Sequence, residues 1–381
     1  MRVVRSILLT TLFAGAFAIA FRASHAQSPA PKLAEDQFKN IQVLKGIPAD
    51  QLIPSMQFIS ASLGVECEYC HVEHANEKDD KKPKRIARDM INMMMAINKN
   101  NFEGHREVTC YSCHRGAAQP VATPLVGEAE PPRQPHLHDA GTAEPPAPSA
   151  AQLLDKYLTA VGGAEALHKI SSRVSHGTLV SPNPGGDQNA GHGDSGAQPT
   201  AIDVYAQAPD KRVSVMHMKS GDSITAFNGQ QGWLSVPQRT HIMSAAENDA
   251  ARIDASFYFA ADLPALYSKF TAIPGEKIDG HDTWLVLGRS EAKPPLRLYF
   301  DKDSGLLLRL VRYAETPLGR NPTQIDYADY RTADGIKTPF RWTLSRPGNN
   351  RFTIQIDKVE QNAPIDPAKF TAPSPPPSAN R

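Results

Sequence analysis

The sequence predicts a multidomain α+β protein with a helical N-terminal region, a proline-rich linker and a C-terminal antiparallel, curved β-sheet with helices. Three observations predict this class. Methionine-rich stripes at helical spacing and all four cysteines fall within residues 32–118. Residues 119–149 contain eight prolines and no apolar periodicity, as in an extended linker. Residues 150–373 contain one helical segment, then many short alternating segments separated by turn residues.

Length and charge limit the functional classes. A chain of 381 residues fits two domains better than one. Its 41 Lys+Arg and 40 Asp+Glu give a formal charge of +1, which removes the electrostatic case for a nucleic-acid binder. The 40% hydrophobic content is enough for a packed core, so only the proline-rich tail 374–381 is expected to be disordered.

The first 26 residues have the pattern of a signal peptide. Arg2 and Arg5 precede an apolar run from Ile7 to Phe21, and small residues lead to a cleavage position after Ala26. The run is shorter than the roughly 20 residues of a membrane span. We therefore expect an exported, periplasmic chain; an uncleaved anchor is the alternative.

The cysteines form two CxxCH motifs, Cys67–His71 and Cys110–His114. Two thiols three positions apart can bond the two vinyl groups of one haem, and the imidazole of the next residue then reaches the iron. The motifs predict two covalently attached haems, held by Cys67 and Cys70 and by Cys110 and Cys113, with His71 and His114 as iron ligands.

Other uses of CxxC pairs fit less well. A shared zinc ion is disfavoured because 39 residues separate Cys70 from Cys110, against roughly 15–20 in ribbon-type sites. Disulfides or a redox CxxC suit an exported chain, but neither requires a histidine after both pairs.

A methionine stripe precedes each motif. The first stripe contains Leu52, Met56, Ile59 and Leu63, and Gly64 then ends the helix. The second contains Ile86, Met90, Met93 and Ile97. Methionine is a frequent second ligand of haem iron in electron-transfer cytochromes, but it also fills cores well. Spacing alone leaves both roles open, and for the second haem it leaves Met93, Met94, Met95 and His105 as further candidates.

These segments resemble the photosynthetic reaction-centre cytochrome c subunit family. The resemblance rests on Met56–His71, on Ile86–Met90 with Asn98, and on Val108–Gly116, and it covers residues 42–120. It implies Met56 as the distal ligand of the first haem and Met90 as that of the second. It also implies single-electron transfer with a donor and an acceptor protein, such as a membrane reaction centre or a respiratory complex. Members that serve reaction centres carry four such units, whereas this chain has two.

The C-terminal region is predicted to form sequential hairpins without intervening helices, after a helix at Leu153–Gly163. Asn228-Gly229 and Asp301–Gly305 are turn signals between strands. The predicted strands are Ala201–Ala206, Lys211–Met218, Ser223–Phe227, Gly232–Val236, Thr283–Gly288, Leu296–Phe300, Leu306–Tyr313, Gln324–Tyr330, Phe340–Ser345 and Arg351–Val359.

Three of these turn-and-strand stretches, Val204–Arg212, Ala226–Trp233 and Leu298–Leu306, are similar to the lipoprotein-carrier superfamily. That resemblance implies a half-open barrel closed by helices over an apolar cavity. It gives the alternative function: a periplasmic hydrophobic-ligand or lipoprotein-carrier-like protein with a redox-sensing haem module and an apolar ligand in the C-terminal domain.

No catalytic constellation is found, so an electron carrier rather than an enzyme is expected. Asp326, Asp329 and Asp334 are interpreted as exposed turn carboxylates, and His136, His138 and His192 as solvated side chains. A dihaem peroxidase needs an open iron site, and a methionine upstream of each motif counts against it.

Overall fold

The structure is a computed structural model, and it describes residues 32–120, 148–180, 199–237, 239–347 and 350–373. The predicted signal peptide 1–26, most of the linker 119–149 and the tail 374–381 lie outside these residues. His136, His138 and His192 also lie outside them. The described residues form a helical N-terminal region and a β-rich C-terminal region, which confirms the predicted α+β class.

The N-terminal region consists of helices joined by tight turns. Its elements are α1 (Ala34–Gln37), a 3₁₀ turn (Ala49–Gln51), α2 (Leu52–Leu63), α3 (Cys67–Cys70), α4 (Lys82–Asn101) and α5 (Cys110–His114). α2 ends where the sequence predicts, because Gly64 adopts φ 64°, a conformation that favours glycine at a helix C-terminus.

The buried faces of α2 and α4 are not the predicted stripes. α2 buries Leu52, Ser55, Phe58 and Ser62. α4 buries Lys84, Ile91, Met94 and Asn98. The predicted stripes share a helix face, but of their members only Leu52 is buried. The expectation was incomplete because small and polar side chains, which form hydrogen bonds inside, occupy half of the buried positions.

The C-terminal region is one open antiparallel sheet of 13 strands. The order is β6-β5-β4-β3-β2-β1-β13-β12-β11-β10-β9-β8-β7, so two meanders meet where the first and last strands pair. The strands are β1 (Ser172–Val180), β2 (Thr200–Gln207), β3 (Lys211–Met218), β4 (Gly221–Asn228), β5 (Gly232–Val236), β6 (Arg239–Ile242), β7 (Lys269–Pro274), β8 (Thr283–Arg289), β9 (Leu296–Asp301), β10 (Leu307–Glu315), β11 (Arg320–Ala333), β12 (Ile336–Arg346) and β13 (Asn350–Gln361).

Helices interrupt the predicted run of hairpins. α6 (Ala150–Ala160) and α7 (Ala164–His168) precede β1, and α8 (Ala245–Ala255) and α9 (Phe259–Leu266) lie between β6 and β7. The prediction of hairpins without intervening helices is therefore wrong at this point. The start of α8 has a sequence signal, because Ser244 and Glu247 form a capping box.

The sheet curves around three of these helices. α6, α8 and α9 pack on one side of it, through Leu153, Ile253 and Leu263 against Leu298 and Leu310. We call this side the concave face. β6 and β7 remain unpaired edges of the open sheet, so it does not close into a barrel.

The helical region is docked on the hairpin between β10 and β11. Leu318, at the tip of that hairpin, is 1% exposed and belongs to the same apolar cluster as Phe58 of α2. Arg106 donates hydrogen bonds to the Glu315 carboxylate and the Thr316 carbonyl, and the Asn321 amide donates to the Pro54 carbonyl at 3.1 Å. The two regions therefore share a hydrophobic core at this contact.

Candidate haem-binding site

Each CxxCH motif folds as a single helical turn. α3 contains Cys67 and Cys70, and α5 contains Cys110 and Cys113, so the two thiols of each pair project to the same side of their turn. Cys67 and Cys113 are exposed, Cys70 and Cys110 half-buried, and none forms a disulfide. Burial raises the pKa of the Cys110 thiol.

The competing zinc interpretation has no site in the part of the chain that the structure describes. No three Cys, His, Asp or Glu side chains converge there as metal ligands would. The four thiols remain as two separate pairs.

The two motif histidines are oriented in the same way. His71 Nδ1 lies 3.0 Å from the Asn76 carbonyl oxygen, and His114 Nδ1 lies 3.0 Å from the Ala117 carbonyl oxygen. Because a carbonyl oxygen only accepts, Nδ1 carries the proton in each ring, and the Nε2 lone pair is left for a metal. Ligating histidines are commonly fixed by such a backbone hydrogen bond.

The loop that holds His71 is fastened to α4. Lys84 is 8% exposed, and its ammonium group donates to the Asn76 carbonyl at 2.8 Å and to the Lys78 carbonyl at 2.7 Å. Its charge is balanced by Asp79 at 2.9 Å. Hydrogen bonds from Arg88, and then from Lys84, hold the pKa of Asp79 far below its usual range. Lys84 thus supports the same carbonyl that orients His71.

Asn98 fixes the approach to the second motif. Its side-chain oxygen accepts from the Val108 amide at 2.9 Å and from the Glu107 amide at 3.1 Å. Its amide group donates to the Val108 carbonyl at 2.7 Å. Asn98 was one of the residues that carry the family resemblance, but only the fold shows that its buried side-chain amide positions the chain before Cys110.

The two units are packed crosswise into one body. α2, which precedes the first motif, packs on α5 of the second, while α3 packs on α4. The Gly116 amide donates to the Ser62 carbonyl at 2.9 Å. A Cβ atom at Gly64 would lie 2.1 Å from the Gly116 carbonyl oxygen, so glycine is required by space as well as by φ.

The methionine candidates differ in exposure. Met56 is half-buried beside the cluster that contains Phe58. On α4, Met90 is 39% exposed and Met94 only 6%. Met94 therefore fills the core, whereas the exposure of Met90 argues against that role for its own side chain.

The remaining candidates are exposed. They are Met93, Met95 and His105. Ile86, Met90 and Met93, three or four residues apart, form an apolar stripe on the surface of α4. Exposed apolar side chains on the helix against which α3 packs would suit the apolar face of a porphyrin.

Of the three predicted turn carboxylates only Asp334 lies in a turn, whereas Asp326 and Asp329 lie inside β11. Arg309 Nε donates to Asp326, and Arg331 pairs with Asp329 in β11. Asp334 adopts φ 48° between β11 and β12. The ion pairs of Asp326 and Asp329 support a structural role, but the predicted turn position is wrong for both, and Asp326 is half-buried rather than exposed.

The sequence did not reveal a row of polar side chains on the convex side of the sheet, opposite the concave face. His176, Asp203 and His217 lie on β1, β2 and β3, with His176 Nδ1 2.7 Å and His217 Nε2 3.1 Å from Asp203. Hydrogen bonding to Asp203, then Asp222, raises the pKa of His217. A cavity of about 300 Å³ adjoins it. Only strand pairing brings these residues together, so no local motif marks them.

Residues 13–153 match the family model described as photosynthetic reaction centre cytochrome C subunit. The photosynthetic reaction center cytochrome c subunit of Thermochromatium tepidum is 33% identical over 100 residues, or 25% of this chain and 24% of that protein. That of Roseobacter denitrificans is 36% identical over 100 residues, 23% of this chain and 27% of that protein. The chain thus spans about a quarter of the length of these relatives. The predicted resemblance is confirmed.

Solved structures similar to the C-terminal part include a LolA superfamily protein from Nitrosomonas europaea, with 13% identity, a TM-score of 0.38, and coverage of 59% of this chain and 99% of that chain. A lipoprotein-sorting protein domain from Vibrio parahaemolyticus has 10% identity and a TM-score of 0.39, and the match covers 57% of this chain and 94% of that chain.

None of the helices in the described ranges combines the length and apolar composition that crossing a bilayer needs.

Proposed function

We propose, from the cytochrome c resemblance of residues 13–153, that this chain is an exported dihaem c-type cytochrome that transfers single electrons. The observation that carries the proposal is the matched geometry of His71 and His114, each with Nδ1 bound to a backbone carbonyl and Nε2 left free. Iron-ligating histidines are commonly held in this way, whereas a histidine with only a structural role has no need of a free Nε2 directly after a CxxC turn.

In this proposal each residue has a defined role. Cys67 and Cys70 would hold the first haem and Cys110 and Cys113 the second, with His71 and His114 as proximal ligands. Haem supplies the one-electron redox chemistry when bound. The polypeptide orients the imidazoles through the Asn76 and Ala117 carbonyls. Met56 and Met90 are the proposed distal ligands, and a donor and an acceptor protein are the proposed partners.

Haem attachment is tested by extraction. Protein matured with c-type assembly machinery should retain two haems per chain after acid–acetone treatment, measured as pyridine haemochrome. The Cys67→Ala/Cys70→Ala variant should retain one, and so should Cys110→Ala/Cys113→Ala as the matched control. Loss of all haem from the wild-type chain on extraction contradicts the proposal.

The distal ligand of the second haem is tested separately. Met90→Ala should remove about half of the methionine-to-iron charge-transfer absorbance of the oxidised protein. Met93→Ala is the matched control on the same exposed stripe, and His105→Ala controls for the loop; both should keep the full band. A halved band in Met93→Ala with an intact band in Met90→Ala would assign the ligand to Met93.

A second candidate function, hydrophobic-ligand binding by the C-terminal region, is favoured by the concave face. Tyr327, Trp342 and Leu344 lie there only partly buried, beside the cluster under α6, α8 and α9. Partly exposed aromatic and aliphatic side chains in a curved sheet are typical lining for an apolar ligand.

A further inference from the structure

The concave face contains more positive charge than its own carboxylates balance. Four arginines project to it: Arg173 (β1), Arg212 (β3), Arg312 (β10) and Arg346 (β12). Arg312 is paired by two hydrogen bonds with Asp254 of α8. Among the described residues, no carboxylate forms an ion pair with Arg173, Arg212 or Arg346, although the charge of Asp254 also acts on Arg212 and Arg346.

Strand register places two of the unpaired arginines side by side. Arg173 lies opposite Ala206, and Ala206 lies opposite Arg212, so the three residues form one row across β1, β2 and β3. We call this row the arginine row. Ala206 between them has a short side chain, and the two arginines lie two strand spacings, about 9.6 Å, apart along the row. This spacing suits a group that bridges two guanidiniums.

The curvature of the sheet brings an aromatic side chain to the arginine row. The Arg212 guanidinium carbon lies 5.1 Å from the centre of the Trp342 ring, although β3 and β12 are separated by three strands. Neighbouring strands lie about 4.8 Å apart, so a flat sheet would hold these strands roughly 19 Å apart. The sheet therefore curves so strongly that Arg212 and Trp342 meet over the concave face.

The side chains that Arg173 contacts are neutral. Arg173 Nε donates to the Gln361 side-chain oxygen at 3.1 Å, and its guanidinium carbon lies 5.3 Å from the centre of the Phe257 ring. The Gln361 amide nitrogen has no hydrogen-bond partner within the described structure. Burial, and then the nearby charge of Arg212, lowers the pKa of Arg173 to about 10. Arg173 is half-buried, and a cation partly withdrawn from water among neutral partners is normally balanced by an anion.

We infer that the concave face binds an anionic amphiphile, with its acidic head group on Arg173 and Arg212 and its apolar chain along Trp342 and Leu344. This inference rests on the proposed ligand-binding function and is independent of the haem proposal. Guanidinium groups form strong, paired hydrogen bonds with carboxylates and phosphates, and the neighbouring aromatic and aliphatic side chains provide the apolar wall. An uncharged lipid would leave Arg173 without a counter-charge and Arg212 with only Asp254, which lies beyond ion-pair distance.

The test uses the full-length, haem-loaded chain after removal of co-purified lipid. Binding of oleate, oleyl phosphate and the neutral oleyl alcohol is measured by calorimetry. Oleate or oleyl phosphate should bind about tenfold or more tightly than oleyl alcohol. The tighter of the two acids identifies a carboxylate or a phosphate head group.

Variants assign the preference to the arginine row. Arg212→Gln should weaken binding of the preferred acid about tenfold and leave oleyl alcohol unchanged. Arg341→Gln, on the opposite face of β12, is the matched control and should leave both unchanged. Arg212→Lys keeps the charge, and haem content and circular dichroism check folding. Equal wild-type affinity for the alcohol and both acids overturns the role of the arginines, while no binding of any of the three overturns the ligand-binding function itself.

Discussion

Replacement of Leu318 by alanine should destabilise the helical region although Leu318 belongs to the sheet. Leu318 is 1% exposed at the tip of the β10–β11 hairpin and packs in the apolar cluster of α2 and α4. Truncating a fully buried leucine costs about 2–5 kcal/mol, and more when the surroundings cannot collapse. The ring of Phe58 already contacts Gly319 closely, so we expect limited collapse and a loss of about 3 kcal/mol.

The hairpin itself should survive the substitution. Thr316 Oγ1 donates to the Gly319 carbonyl at 2.8 Å and accepts from the Gly319 amide at 3.1 Å, so the turn does not depend on the leucine side chain. The lost free energy should therefore appear in the contact between the two regions.

Urea unfolding with two signals measures this effect. Haem absorbance reports the helical region, and tryptophan emission reports the sheet, which contains all three tryptophans, Trp233, Trp284 and Trp342. In Leu318→Ala the unfolding transition seen by haem absorbance should move to lower urea concentration. The control variant Leu234→Ala truncates a leucine that is 41% exposed, and it should lower the free energy of unfolding by less than about 0.5 kcal/mol. An unchanged haem transition in Leu318→Ala would show that the helical region is stable without the docked hairpin, and would refute the shared core.

Two further predictions concern local geometry. Gly64→Ala should lower the yield of dihaem protein and destabilise it by at least about 1–2 kcal/mol, because alanine at φ 64° is strained and its Cβ would meet the Gly116 carbonyl. The control Gly46→Ala is also at positive φ but has open space around it, so it should show the effect of strain alone. Equal losses of stability for the two variants in unfolding experiments would count against the clash. His241 pairs with Glu247 at 3.0 Å, and the hydrogen bond raises the pKa of His241. The pair therefore stabilises the fold fully below the unfolded-state pKa of histidine, about 6.5, and this stabilisation is lost as pH rises through the higher folded-state pKa. His241→Gln should flatten that part of the stability–pH curve, whereas an unaltered curve would assign the dependence to other groups.

The sequence alone determined which groups form the candidate haem-binding site of the N-terminal region, because their arrangement is local. A CxxCH motif sets two thiols and an imidazole within one helical turn, whatever the rest of the chain does. The same holds for the end of α2 at Gly64 and for the hairpin at Asn228-Gly229, where the backbone conformation is decided by a few neighbouring residues.

Tertiary structure decided what depends on residues distant in the chain. Periodicity predicted helical stripes, but not that Asn98 and Lys84 would be buried by hydrogen bonds to loops, nor that Met94 rather than Met90 would enter the core. Side-chain exposure depends on which elements meet, and sequence spacing does not contain that information.

The same reason explains the C-terminal region. Alternation identified most strands, but the pairing of β1 with β13 joins residues about 180 positions apart, and no local signal specifies it. That pairing, and the curvature that follows from it, place Arg173 and Arg212 in one row opposite Trp342. The arginines are ordinary strand residues in the sequence, and they become a candidate binding site only because the folded sheet half-buries them without giving them ion-paired carboxylates.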